Sequence, residues 1–177
     1  MNIAAARVIP VRLRFARPMR TAQGEFIERA SVLLELRDAG GIAGYGEAAP
    51  WPGFGTESVD EAEASLRALG QLLPGASLQP VEWPAKLESL LDQRPAARAA
   101  LQGALLDLEA RSAGRPLSVH LAARAGSTCG APLSRVPVSA LLSAHDPDAL
   151  FTEAVLARES GYRAVKIKLG GGAAERD

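Results

Sequence analysis

The chain has 177 residues, enough for one ordinary domain or for a small domain with part of another. Its 20 lysines and arginines balance 20 aspartates and glutamates, which argues against a nucleic-acid partner and against a basic membrane-surface patch. No run approaches the roughly 18 apolar residues of a membrane span, and no apolar core of signal-peptide length follows Met1. Cys129 is the single cysteine, so no intrachain disulfide can form. Cytoplasm is the expected compartment.

Residues 3 to 50 read as strands and turns. Ala6, Val8 and Val11 to Phe15 alternate, and Ser31 to Leu36 forms a second run. Asp38-Ala39-Gly40-Gly41 is a hairpin signal, after which Ile42 to Glu47 returns as a third strand. An antiparallel meander is expected. Helices follow it. Ser58 with Glu61 three residues on is a capping box, with Val59, Ala62, Leu66 and Leu69 at helical spacing behind it. The next helix starts near Pro95, buries Ala97, Leu101, Ala104, Leu105 and Leu108, and ends at Gly114 and Pro116.

The pattern changes again near residue 133. Val136 to Leu142 is a nearly continuous apolar strand. Asp146 caps a helix with Pro147 in its first turn and Leu150, Phe151, Ala154 and Val155 on its inner face. Gly161 closes that helix, and Ala164 to Leu169 is a second strand before three glycines. Strand, helix, strand with short links is a right-handed βαβ unit. The expected organisation is therefore an α+β domain, residues 1–130, made of the meander and helices, followed at 131–177 by a βαβ unit of the kind that opens a TIM-like barrel.

Ala164 to Leu169 is the stretch that points to chemistry. Side chains alternate along a strand, so Val165, Ile167 and Leu169 share one face and Ala164, Lys166 and Lys168 the other. One reading is an amphipathic strand with both lysines in water. The other follows from the crossover, which makes the strands parallel, and parallel sheets are normally covered on both faces. If helices cover Val165 and Ile167, both ammonium groups enter a barrel interior, near the C-terminal strand end where barrel active sites form. Two such cations in one desolvated site depress each other's pKa, and a lysine pushed toward neutrality is a competent general base.

Three segments of the sequence resemble one family. They are Gly44-Tyr45-Gly46-Glu47-Ala48-Ala49-Pro50, the Ala104 to Ala110 helix with Gly114-Arg115-Pro116-Leu117, and Gly161 to Gly170. They resemble the enolase superfamily, in its muconate-lactonizing branch. The resemblance implies a capping domain over a (β/α)₇β barrel and abstraction of a proton α to a carboxylate, with Mg2+ stabilising the enediolate. It also implies Lys168 as the acid/base group and Lys166 as its electrostatic neighbour. Within the branch, Arg17 to Gly24 and Ala49 to Glu57 look most like the o-succinylbenzoate synthases, lyases that dehydrate a cyclohexadiene carboxylate on the route to menaquinone. Dipeptide epimerases share Lys-Ile-Lys-Leu-Gly. An epimerase or a muconate-type cycloisomerase is the enzymatic alternative, and a noncatalytic binding or assembly module is the alternative of another class.

By the same resemblance the metal ligands, and a further lysine, fall after Asp177. The polypeptide as it stands is expected to hold no catalytic magnesium and to turn nothing over. Glu175 and Asp177 come too early to be ligands. Thr21 to Gly24 and Trp51 to Phe54 are candidate lid loops over a small-molecule carboxylate, or else surface turns with local aromatic packing. Thr21, Gly24, Trp51, Phe54 and Ser139 are the candidate substrate contacts, Ser139 with barrel packing as its other role. Arg12, Arg14, Arg17 and Arg20 could attract a dicarboxylate, but read first as solvated edge-strand charges that block aggregation. Asp107 and Glu109 read as cap and contact residues, while His120, His145 and Cys129 carry no metal or triad spacing. Oligomerisation with further copies stays open. Unpaired strand edges after residue 133 predict aggregation or partial disorder there.

Overall fold

The computed structural model describes residues 1–21, 24–78, 83–126, 133–144 and 146–167, with the backbone alone at Arg17 and Arg20. Two compact units divide the chain, Met1–Pro132 and Leu133–Asp177. In the first, strands β1 (Ile3–Thr21), β2 (Gly24–Asp38) and β3 (Ala43–Ala48) form an antiparallel sheet in chain order. The turn between β2 and β3 is set by its sequence. Asp38 Oδ1 accepts the Ile42 N–H at 2.9 Å, and Gly41 supplies the left-handed φ of +83° that other residues resist.

Helices α1 (Val59–Leu72), α2 (Ala85–Leu90), α3 (Pro95–Ser112) and α4 (Leu117–Arg124) follow. Val32, Leu34 and Leu36, alternate residues of β2, are fully buried together with Ala62, Leu66 and Leu69 of α1. Ala97, Leu101, Ala104, Leu105 and Leu108 of α3 complete this core. Ser58 caps α1 through the expected reciprocal box: its Oγ accepts the Glu61 N–H, and Glu61 Oε2 accepts the Ser58 N–H at 2.9 Å. Helix α3 has no such local cap. Glu57, reaching across 40 residues, accepts the Ala96 and Ala97 N–H groups at 3.1 and 2.7 Å and satisfies the first turn from outside the helix.

The second unit is β4 (Ser139–Leu142), α5 (Pro147–Glu159) and β5 (Ala164–Ile167), with β4 and β5 parallel. Asp146 caps α5 as expected, its side chain accepting the Ala149 N–H at 2.9 Å. No helix among the described residues is long and apolar enough to cross a membrane.

The meander, both principal cap helices and the parallel βαβ unit match the sequence reading. Four details differ. Strands β1 and β2 run further than their apolar alternation, because each supplies the other's backbone partners out to Thr21↔Gly24. Helices α2 and α4 are too short for periodicity to reveal. Strand β4 begins at Ser139 rather than Val136, leaving Val136 and Val138 exposed. Phe151 is 71% exposed, not on the inner face of α5, because Ala157 and the half-buried Leu150 and Ala154 form the covered stripe.

Candidate functional site

Beyond the point where β3 leaves the sheet, β1 and β2 continue as a two-stranded arm. The arm closes at Thr21↔Gly24, where Thr21 Oγ1 lies 3.4 Å from the Gly24 carbonyl and Gly24 adopts a φ of +125°. Arg12 and Glu28 pair across it at 2.8 Å. The register between the two strands shifts between Arg14 and Met19, so that Met19 faces Phe26 near the tip.

The segment after β3 folds back against this arm. Pro50 is buried, Pro52–Phe54 forms one 3-10 turn, and Gly55 ends it with φ +87°. Thr56 Oγ1 accepts the Trp51 N–H, which closes the segment on itself. The Trp51 indole packs on Phe26 of the arm at a centroid separation of 4.9 Å and on Phe54 at 5.8 Å, in tilted and edge-on geometries favoured by aromatic quadrupoles. Arg29 lies over the indole, its guanidinium carbon 4.4 Å from the ring centroid, and donates to the Ala49 carbonyl. Phe54 is 73% exposed. The result is an aromatic lip: Thr21 and Gly24 at the arm tip and Trp51 to Phe54, singled out separately in the sequence, belong to elements joined through Phe26, while Ala22 and Gln23 lie outside the described residues.

Phe26 and Arg29 were not picked out from the sequence. The signal that could have found them is register. β2 and β3 pair Val32 with Ala48 and Leu33 with Glu47. Continuing that count past the end of the ladder sets Trp51 beside Arg29.

In the second unit, Ser139 pairs with Ala164 and Leu141 with Lys166. Paired residues of parallel strands share a face, so Ser139 and Lys166 lie on one side of the β4–β5 sheet. Leu142 is buried and Ala140 half-buried on the other side, the side that α5 covers, whereas Ser139, Leu141 and Lys166 are exposed. Val165 and Ile167 remain 46% exposed each, so α5 shields β4 more than β5. Lys168 lies outside the described residues, as do Leu169, Glu175, Asp177, Cys129 and His145. An open cleft of about 500 Å³ lined by Arg135, Pro137, Val138, Tyr162 and Arg163 sits at the starts of β4 and β5, away from the strand end that carries Lys166.

Three carboxylates of the helices have architectural partners. Asp107 accepts the Tyr45 N–H at 2.9 Å and pairs with Arg111, covering an edge amide of β3. Glu109 holds His120 Nε2 at 3.1 Å and Arg124 at 3.0 Å, tying α4 to α3. Glu88 has its carboxyl held below the ordinary range by the Arg98 guanidinium, and that guanidinium also covers Trp83. Among the described residues no group of three or more His, Cys, Asp or Glu can hold a metal ion.

Residues 3–121 match the family described as mandelate racemase / muconate lactonizing enzyme, N-terminal domain. The D-Ala-D/L-Ala epimerase of Cytophaga hutchinsonii is 26% identical over 163 residues, covering 92% of this chain and 42% of that protein. The o-succinylbenzoate synthase of Geobacillus stearothermophilus is 32% identical over 128 residues, covering 68% of this chain and 33% of that one. The crystal structure of the Cytophaga hutchinsonii dipeptide epimerase, complexed with Mg and D-Ala-L-Val, superposes with a TM-score of 0.80 at 25% identity. It covers 97% of this chain and 45% of the epimerase. The chain thus spans less than half the length of these relatives.

Proposed function

The chain belongs to the mandelate racemase / muconate lactonizing enzyme family, and on that premise we propose that the complete protein abstracts a proton α to the carboxylate of a small organic acid. Lys168 is the acid/base group and Lys166 its electrostatic neighbour. The supporting observation is the parallel register Leu141↔Lys166, which sets Lys166 on the sheet face opposite α5 and next to the strand's C-terminal end. In a closed barrel that face is the interior and that end carries the chemistry. Lys168 enters on the alternation of the sequence, two residues along the same strand pattern. In a closed barrel, desolvation and the ammonium of Lys166 would favour the neutral, proton-accepting form of Lys168. Ser139, on the same face as Lys166, would contact substrate at the rim.

Magnesium would supply the positive charge that stabilises a carboxylate as it gains electron density, on ligands contributed from beyond this chain. The lip of Trp51 and Phe54, with Thr21 and Gly24 at the arm tip, would close over the substrate and exclude water.

The fate of the deprotonated acid that we favour is loss of a hydroxyl to give o-succinylbenzoate, a carbon–oxygen lyase reaction. The likeness of the two lid segments and the 32% identity to the Geobacillus synthase support it. Dipeptide epimerisation is the second reading, favoured by the match to the Cytophaga epimerase over 92% of the chain. Both reactions begin with the same proton transfer. Assay of the complete protein in deuterated buffer, with the cyclohexadiene carboxylate and with a dipeptide panel, separates them. We expect dehydration of the first substrate and its loss in K168A. Turnover of the dipeptides alone would replace the lyase with the epimerase. No dehydration of the first substrate and no α-proton exchange in any acid would together favour a noncatalytic module.

A further inference from the structure

The β2–β3 ladder stops at Val32↔Ala48. The sequence explains the stop: Pro50 and Pro52 have no N–H to donate, so backbone pairing cannot carry the lip onto the arm. Arg29 takes over where the ladder fails. One guanidinium nitrogen donates to the Ala49 carbonyl, the last residue before Pro50, and the guanidinium plane covers the Trp51 indole at 4.4 Å. A single side chain thus grips both the backbone and the ring of the lip. The Trp51 N–H bond to Thr56 Oγ1 and the Gly55 turn are internal to the segment. Phe26 adds a ring contact to the same indole.

We infer that Arg29 is a positioning residue, the pin that holds the Trp51–Phe54 lip against the β1–β2 arm and so sets substrate affinity through Trp51. The inference rests on the reading that this lip borders the substrate. Arginine is suited to the task because its planar fork can hydrogen-bond in its plane while its face stacks on an aromatic ring, and a lysine ammonium cannot do both. Without the pin, binding must pay for ordering the lip each time, which weakens substrate and transition state alike.

The test uses the complete protein labelled with fluorotryptophan, with the Trp51 resonance assigned by its loss in W51F. In R29A the Trp51 signal should move toward that of free fluorotryptophan while the Trp83 signal stays, and KM should rise about tenfold with kcat held within about twofold. R29K should recover the Ala49 contact but not the stacking, and should give an intermediate KM. An unmoved Trp51 signal in R29A would overturn the pin. A moved signal with unchanged KM would overturn its link to substrate, and W51A then separates two failures. If W51A raises KM, only the inference about Arg29 falls; if W51A also leaves KM unchanged, the lip is not at the substrate and the reading beneath it falls too.

Discussion

Gly46 stands where β3 crosses α3. A Cβ built there would lie 1.9 Å from the Ala100 carbonyl oxygen and 2.7 Å from the Ala104 nitrogen, both backbone atoms that cannot swing aside. Gly44 is nearly as tight, at 2.4 Å from the Leu108 nitrogen. Replacing Gly46 by alanine should therefore push the helix off the sheet and cost about 3 kcal/mol, at the upper end of what overpacking usually costs. Gly103 is the instructive contrast, since its added Cβ would meet only the Gly46 Cα at 3.5 Å, an ordinary contact. G103A should be neutral or stabilise by up to about 1 kcal/mol, because alanine is the better helix former. Urea midpoints of the two variants, side by side, check both. Glu57 makes a different demand on its surroundings. Among the described residues its buried carboxylate is what caps the first turn of α3, so E57A should cost about 2 kcal/mol by stranding the Ala96 and Ala97 amides. E57Q should cost part of that, since one face of the amide presents N–H groups to an N–H. An E57A midpoint equal to wild type would show that water replaces the carboxylate.

At the scale of elements, helix α1 offers a pH test. The Ser58 backbone and hydroxyl, and then the Arg94 guanidinium at 3.0 Å, hold the Glu61 carboxyl below the ordinary glutamate range. The native state thus favours the ionised form. Its contribution is complete above the usual glutamate pKa and is lost as pH falls through the depressed one. Between about pH 5 and about pH 3, wild type should lose stability more steeply than E61Q, which keeps a capping side chain without the titrating charge. Parallel curves would remove Glu61 from the acid response. The same helix shows why some elements were legible in advance. Ser58, Glu61 and the spacing Ala62, Leu66, Leu69 are local signals that fold within one turn or two. Helix α3 was legible from Pro95 and its apolar face, but its cap was not, since Glu57 lies 39 residues before Ala96 and meets it only in three dimensions. The candidate site divides likewise. Trp51 and Phe54 could be singled out as aromatics among prolines and glycines. Phe26 and Arg29 could not, because what recruits them is the strand register rather than any pattern of their own. Lys166 was read from alternation on a short strand, and the parallel pairing with β4 is the long-range fact that alternation alone cannot supply.

The whole chain is unequal in what it buries. Every member of its main core lies between Ile3 and Leu108. Among its described residues the second unit buries only Leu142 and Ala157, and it leaves Leu133, Val136, Val138 and Phe151 each more than 60% exposed. Two four-residue strands and one helix cannot offset the entropy of ordering them with so little apolar area removed from water. The 177-residue chain should therefore open its second unit well before its first. Hydrogen exchange followed by mass spectrometry should show the amides of 139–142 and 164–167 exchanging at least about a hundredfold faster than those of 32–36, a gap of roughly 3 kcal/mol in opening free energy. The same exposed surface should bind a dye such as anilinonaphthalene sulfonate and promote self-association at high concentration. If further strands close a barrel in the complete protein, protection of 139–142 and 164–167 should rise to match the cap and the dye binding should vanish. Equal protection of both units in the 177-residue chain would mean that the short sheet is stable on its own. Lys166 would then belong to a finished, water-facing surface rather than to the unfinished wall of a site.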